Sequence, residues 1–457
     1  MKIIILGAGQ VGSSVAANLC SEANDITVID RNPAVLRNLQ ERLDLKTITG
    51  AASHPSTLEQ AGASDADMII AVTNSDETNM VACQVAYTMF HTPMKIARVR
   101  NSEYLNSRGF FAQDAMPVDV LISPEQIVTE SVARLISLPG AIQVLDFANG
   151  QVQMVAVKVT GQNVLALEPI GKLGRLLPHV EFRVVSIFRE GQVIIPDGRT
   201  QIQDKDEVFI IGAPKHIKTL LRLTKQTDKS IKRITIASGG NIGRRLAKLL
   251  ENRYQVKVIE LSAEKAQKAA EELNNAIVLN GDAADEELLI EENIEDTDIF
   301  CALTNADEAN IISCLLAKRL GARRVMALIN RAAYVDLVQS DVIDIAISPQ
   351  QATIGSLLAH TRKGDVVVVH SLRRGAAEAI EAIAHGDRTT SNVVGRSIEE
   401  IPLPPDTSIG AIVRDDKVSI AHHDTVIASE DHVILLVGDK KRVSEVERLF
   451  QVKITFL

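Results

Sequence analysis

The stretch Lys2-Ile3-Ile4-Ile5-Leu6-Gly7-Ala8-Gly9-Gln10-Val11-Gly12 is a short apolar run that breaks into a glycine-rich turn. At 231 positions further on, Arg233-Ile234-Thr235-Ile236-Ala237-Ser238-Gly239-Gly240-Asn241-Ile242-Gly243 does the same. Each turn leads to an acidic residue at the end of the next β-branched run, Asp30 after Thr27-Val28-Ile29 and Glu260 after Val256-Lys257-Val258-Ile259. Strand, glycine turn, helix and a carboxylate some twenty residues on form the dinucleotide-binding pattern, which a stray glycine cluster would lack.

The likeness between the halves continues in order. Gly50 pairs with Gly281, Thr73-Asn74-Ser75-Asp76-Glu77-Thr78-Asn79 with Thr304-Asn305-Ala306-Asp307-Glu308-Ala309-Asn310, Cys83 with Cys314, and Ser123-Pro124 with Ser348-Pro349. An ordered series of this kind marks an internal duplication.

Between the turns, β-branched runs alternate with helical patterns over residues 1–135 and again over 232–360. That alternation predicts two α/β Rossmann-like, doubly wound parallel sheets. The period then shortens. Residues 143–225 and 366–457 read as short strands separated by turns such as Glu190-Gly191 and Asp415-Asp416, each set ending in a helix, after Pro214 and from about Lys440. A small α+β lobe is therefore expected behind each sheet. The polar stretch from Thr224 to Ser230 and the stretch Thr361-Arg362-Lys363-Gly364-Asp365 read as boundaries.

In the first half, Gly7 permits the tight turn, Gly9 lets backbone approach a pyrophosphate, and Gly12 lets the helix pack close. The pyrophosphate would rest on Gln10, Val11 and the other unpaired N–H groups of the helix start. Asp30 would accept from the ribose hydroxyls and repel a 2′-phosphate, favouring NAD(H) or a plain adenine nucleotide over NADP(H). In the second half Ser238 replaces the first glycine, and Glu260 keeps the carboxylate. Arg98, at the end of Ile96-Ala97, stands where a phosphate would pass, and aligning Ala97 with Ala327 puts Leu328 in its place. Thr73-Asn74 and Thr304-Asn305 end the fourth strands, where they either line an adenosine pocket or cap the next helix.

At 457 residues the chain is too long for one core, and 46% hydrophobic with 23% charged residues is the balance of a soluble globular protein. A net charge of −9 gives no general attraction for nucleic acid. No apolar run is long enough to span a bilayer, so a cytoplasmic chain is expected whose membrane association comes through a partner. Cys20, Cys83, Cys301 and Cys314 lack metal-ligand spacing, as do the ten histidines, and read as structural. No metal site and no catalytic constellation is legible: there is no P-loop, nucleophile elbow or Tyr-x-x-x-Lys pair.

With Gly7-Ala8-Gly9-Gln10-Val11-Gly12, Val28-Ile29-Asp30-Arg31, the Thr73-to-Asn79 block and the duplicated order, the chain resembles the RCK (regulator of potassium conductance) family. The resemblance covers nearly the whole chain. It implies two Rossmann-like N-lobes, each followed by a C-lobe, and binding of NAD(H) and of ATP or ADP by Gly7 to Gly12, Asp30, Arg31, Gly50, Thr73, Asn74 and Arg98. In the second half the corresponding residues are Ser238 to Gly243, Glu260, Thr304 and Asn305. It further implies a nucleotide-sensing ring, a homotetramer, peripheral on the cytoplasmic face of the inner membrane and docked on a potassium-translocating membrane subunit. An NAD-dependent dehydrogenase is the alternative, and a redox-sensing transcription factor is disfavoured by the acidic balance and the lack of a basic patch.

Overall fold

The computed structural model describes residues 1–20, 24–107, 109–112, 114–161, 163–224, 230–338, 343–362, 365–372 and 377–452. Residues 225–229 of the first expected boundary, and Lys363 and Gly364 of the second, lie outside them.

The first sheet is built from β1 (Lys2–Leu6), β2 (Asp25–Asp30), β3 (Lys46–Thr49), β4 (Met68–Ala71), β5 (Met94–Arg98) and β6 (Val120–Ile122). Its order is β3-β2-β1-β4-β5-β6 and its pairings are parallel. The order reverses between β1 and β4, so their C-terminal ends flank the crevice where such sheets take ligands. β1 and β4 are fully buried over Ile3–Leu6 and Met68–Ala71, as strands covered by helices on both faces must be.

A second sheet follows, from β7 (Ala141–Phe147), β8 (Val152–Lys158), β9 (Phe182–Arg189), β10 (Gln192–Ile194) and β11 (Glu207–Gly212), antiparallel in the order β10-β9-β11-β8-β7. The third sheet repeats the first: β12 (Arg233–Ala237), β13 (Gln255–Glu260), β14 (Ile277–Asn280), β15 (Ile299–Ala302), β16 (Arg324–Leu328) and β17 (Ile345–Ile347), ordered β14-β13-β12-β15-β16-β17. The fourth repeats the second with β18 (Val366–Leu372), β19 (Ala377–Ile383), β20 (Thr407–Arg414), β21 (Lys417–Ile420) and β22 (His432–Val437), ordered β18-β19-β22-β20-β21. The expected fold class is thus present in both halves.

Two strands depart from the sequence reading. β7 was not anticipated, and neither was β19, whose sequence Ala-Glu-Ala-Ile-Glu-Ala-Ile is rich in helix formers. β19 is held as a strand by partners on both edges, β18 and β22, and by satisfaction of its two buried carboxylates. Glu378 accepts from Arg362 at 2.8 and 2.9 Å, both side chains being buried. Glu381, only 2% exposed, accepts from the Ala148 N–H at 2.7 Å and stands 2.6 Å from His432 Nδ1. That N–H belongs to a turn in which Ala148, Asn149 and Gly150 all have positive φ, a conformation costly for alanine.

The chain forms two compact units, residues 1–127 with 349–357 and residues 128–348 with 358–457. In the first, Ile4, Leu6, Ile69, Ala71, Cys83 and Ala97 belong to one core. In the second, alternation divides the faces of β8: Val155 and Val157 join the core that includes Ile234 and Val258, whereas Met154 and Ala156 pack with Ala379, Ile434 and Leu436 of the fourth sheet. Cys83, Cys301 and Cys314 are buried, and burial pushes the thiols of Cys83 and Cys301 up to about 12. Among the described residues, no helix is long and apolar enough to cross a membrane.

Between the second and fourth sheets, the His370 ring meets Phe147 edge-on at 5.0 Å, and its Nε2 lies 3.1 Å from the Asp146 carbonyl oxygen. Desolvation lowers its pKa. The folded state thereby favours the neutral ring, so its contribution to stability is present above the unfolded value of about 6.5 and is lost as pH falls below it. Urea titrations at pH 7.5 and 5.5 should show His370→Asn losing less stability on acidification than the parent chain.

Candidate functional site

The geometry of both glycine-rich turns follows from one clash. A Cβ on Gly12 would lie 1.8 Å from the Gly7 carbonyl oxygen, and one on Gly243 would lie 1.9 Å from that of Ser238. Each turn is therefore folded tightly under the first turn of its helix, Gln10–Cys20 or Asn241–Leu250. Gly7 takes φ +100°, and a Cβ there would press to 3.0 Å on the Thr73 backbone. Gly9 is different. It is exposed, and a Cβ on it would meet nothing within 4 Å.

The acidic residue closes the turn from below. Asp30 accepts from Ala8 N–H at 2.7 Å with one oxygen and from Asn32 N–H at 2.8 Å with the other, and its own carbonyl receives Gly50 N–H at 3.0 Å. Glu260 copies all three contacts, taking Gly239 N–H at 2.6 Å, Ser262 N–H at 2.9 Å and, on its carbonyl, Gly281 N–H at 3.0 Å. Each carboxylate oxygen keeps a second lone pair for an outside donor. Gly50 is close-packed, since a Cβ would lie 2.7 Å from Thr57 Cγ2.

Ser238 does something Gly7 cannot. Its buried hydroxyl accepts the N–H of Gly240 at 3.1 Å, the amide equivalent to that of Gly9. Ser238 also needs no positive φ. Gln10 and Asn241 are exposed, and Val11 and Ile242 half-buried, in the first turns of their helices. Arg244, in the same turn as Asn241, bonds Asn241 Oδ1 at 3.1 Å and pairs with Glu272 at 3.2 Å.

At the far side of the crevice, Thr73 and Thr304 bind inwards. Thr73 donates from Oγ1 to Asn79 Oδ1 at 2.6 Å, and Thr304 to Asn310 Oδ1 at 2.7 Å. Neither caps the following helix itself. In the first half that role falls to Ser75, which accepts Thr78 N–H. Asn74 and Asn305 are exposed at the turn, with the Asn74 carbonyl receiving Arg100.

Sequence reading missed the residues behind them. Asn79 and Asn310, fully buried, each donate to the end of the fifth strand, at Arg98 O and Leu328 O. Asp76 receives the N–H groups of Arg100 and Asn101, and Asp307 those of Asn330 and Arg331. The repeated Thr-Asn-x-Asp-Glu-x-Asn block was their only signal. The same contacts fix Leu328 as the counterpart of Arg98. Arg98 itself is paired with Glu125, Nη2 to Oε1 at 3.1 Å, with both side chains largely buried. Arg31 is exposed beside Asp30.

Together these features define a protein with two Rossmann-type lobes, each presenting a carboxylate-anchored glycine turn. Models of the TrkA-N domain match residues 3–124 and 234–349, and models of the TrkA-C domain match 156–225 and 388–451. The chain belongs to the TrkA family of Trk potassium-uptake proteins. It is 58% identical over 456 residues to the Trk system potassium uptake protein TrkA of Halomonas elongata, and 56% over 458 residues to that of Vibrio alginolyticus, with both chains covered in full each time. Among solved structures, the GsuK channel bound to NAD matches with a TM-score of 0.62 at 20% identity, over 98% of this chain and 79% of that one. GsuK bound to ADP matches with a TM-score of 0.50 at 17% identity, over 79% and 70%. These last two likenesses speak for the fold.

Replacing Asn79 by Ala strands the Thr73 N–H and the Arg98 carbonyl in a buried setting, at a cost of about 2–4 kcal/mol. Asn310→Ala should cost a similar amount. Denaturant titration checks both, and a loss below about 0.5 kcal/mol in either variant would refute the assigned role.

Proposed function

We propose that this chain is the nucleotide-sensing regulatory subunit of a Trk-type potassium-uptake system and that both glycine turns bind adenine or nicotinamide nucleotides. The observation that carries the reading is the duplicated turn, in which Asp30 and Glu260 hold the backbone while Gly9 stays open, in a chain of the TrkA family. The GsuK structures bound to NAD and to ADP suggest the ligand classes. ATP and NADH belong to the same chemistry: an adenosine ribose for the carboxylate and a phosphate chain for the helix start.

The phosphate chain lies over Gly7, Ala8, Gly9, Gln10, Val11 and Gly12, with Asp30 on the ribose, Arg31 beside it, Gly50 and Thr73-Asn74 around the crevice, and Arg98 towards the phosphates. In the second lobe Ser238, Gly239, Gly240, Asn241, Ile242 and Gly243 take the same place, with Glu260 and Thr304-Asn305. The lobes divide at residues 1–135, 143–225, 232–360 and 366–457. Four chains assemble as a ring on the cytoplasmic face of the membrane against the potassium-translocating subunit, without inserting into the bilayer. No catalytic step is assigned to the chain. Gating is linkage: a nucleotide shifts the ring only by its difference in affinity for two conformations.

Gly9→Val adds bulk where no protein atom stands, so the fold should survive while phosphate approach is blocked. In vesicles containing the complex, Gly9→Val with Gly240→Val should remove the nucleotide response of potassium flux and leave the complex assembled. An unchanged response would refute the turns as the sensing sites, and parent flux indifferent to every adenine and nicotinamide nucleotide, or turnover of NADH with a defined substrate, would overturn the reading in favour of a dehydrogenase.

The carboxylates also set ligand preference. NADP(H) should bind at least about tenfold more weakly than NAD(H), roughly 1.4 kcal/mol, because a 2′-phosphate would face Asp30 or Glu260. Calorimetric titration decides it, and equal affinities would contradict the ribose role.

A further inference from the structure

The fifth strand of each parallel sheet holds one arginine, at its last residue in β5 and at its first in β16. The Asn79 and Asn310 contacts register Arg98 with Leu328, and four residues back along the same strands Met94 corresponds to Arg324. Arg324 Nη2 donates to the carbonyl of Ala141, the first residue of β7, at 2.5 Å. Methionine at that place has no such bond to give. Resting on the nucleotide reading above, we propose that Arg324 is a positioning residue that carries the state of the second Rossmann-type lobe to the first small lobe, the one encoded before it in the chain.

The packing supplies the route. Alternation puts Arg324, Met326 and Leu328 on one face of β16. On that face Met326 and Leu328 share a single core with Val132 and Ile136 of the helix Pro124–Ser137 and with Val144 and Val155 of the second sheet. The second lobe and the first small lobe therefore have a common interior. The fourth sheet packs instead in a core of its own and in one it shares with the second sheet.

Both ends of β16 are tied down. At its last residue the Leu328 carbonyl receives Asn310, which also holds Thr304 of the crevice turn. About 13 Å of strand, paired on both edges, separates that tie from Arg324. At the other end Gly140 takes φ +97° and the Ala141 N–H closes on the Leu138 carbonyl at 3.1 Å, so the chain leaves the helix for β7 at the residue that Arg324 grips. Desolvation lowers the Arg324 pKa, with Asp344 acting the other way, as befits a guanidinium drawn into the protein to reach that carbonyl. A hydrogen bond from a charged donor is about twice as strong as a neutral one, and packed interiors switch between arrangements rather than deform smoothly. A displaced β16 thus takes the start of β7 with it.

Hydrogen exchange on the full chain tests this, with Gly9→Val leaving the second turn to bind and with NADH and ADP added in turn as probes. The probe that binds should slow exchange in β7 and β8 at least about threefold, and in β19 to β22 less than about twofold. Arg324→Met should keep nucleotide affinity within about twofold and remove that protection, and Arg324→Lys, which keeps a cationic donor on a long stem, should restore part of it. Protection as large in the fourth sheet as in the second, protection that survives Arg324→Met, or loss of nucleotide binding in Arg324→Met would overturn the proposal and leave the nucleotide reading standing. The first of these needs no substitution at Arg324, so it decides the matter even where Arg324→Met does not fold. A Gly9→Val chain that binds neither probe while the parent binds one would also overturn the proposal, and a parent chain that binds neither would overturn the nucleotide reading with it.

Discussion

The bond from a turn amide to the carboxylate at the end of the second strand, Ala8 to Asp30 and Gly239 to Glu260, is the constraint on which each N-lobe depends. A glycine-rich turn has more backbone freedom to lose than any other segment, so something must hold it. The carboxylate does so with an ionised acceptor, about twice as strong as a neutral one. The main-chain carbonyl of the same acidic residue then receives the N–H of Gly50 or Gly281, tying the third strand to the same point. Turn, carboxylate and edge strand are consequently positioned together.

Much of this was legible because the chemistry demands particular residue types. Only glycine tolerates the contact at position 12 or 243, and the apolar runs Ile3–Leu6 and Ile234–Ala237 have the length and composition of buried parallel strands. The Asp30 and Glu260 positions followed from spacing alone. What stayed hidden depends on contacts far apart in sequence. Arg98 reads as a free phosphate ligand until its partner Glu125 is seen, and β19 went unread as a strand because Arg362 and the Ala148 amide, which satisfy its glutamates, lie far from it in sequence or outside any local pattern. The Thr-Asn pairs looked like ligand or cap residues, but their hydroxyls face a buried asparagine on the next helix.

The two halves have kept different things. Interior hydrogen bonds recur nearly atom for atom, including those of the Asn79 and Asn310 side chains to strand carbonyls and the bidentate side-chain pairs Arg189–Asp206 and Arg414–Asp431 in the small lobes. Asp206 and Asp431 are almost wholly buried, and each also accepts a backbone N–H, so neither arginine can be lost without stranding a charge. Side chains that face the crevices have diverged instead. A duplicated scaffold preserves what its interior requires and varies what its openings present.

Glu381 lies opposite Ile434 in its sheet, as Ala156 lies opposite Phe209 in the other, so glutamate and alanine occupy the same place in two copies of one lobe. Were the lobes identical chains meeting about a two-fold axis, any substitution would appear on both sides at once, and a buried glutamate would arrive with its double. Covalent linkage removes that coupling. Each face is encoded by its own stretch of sequence, so one side can specialise as an acceptor for the strained Ala148 turn while the other remains small and apolar.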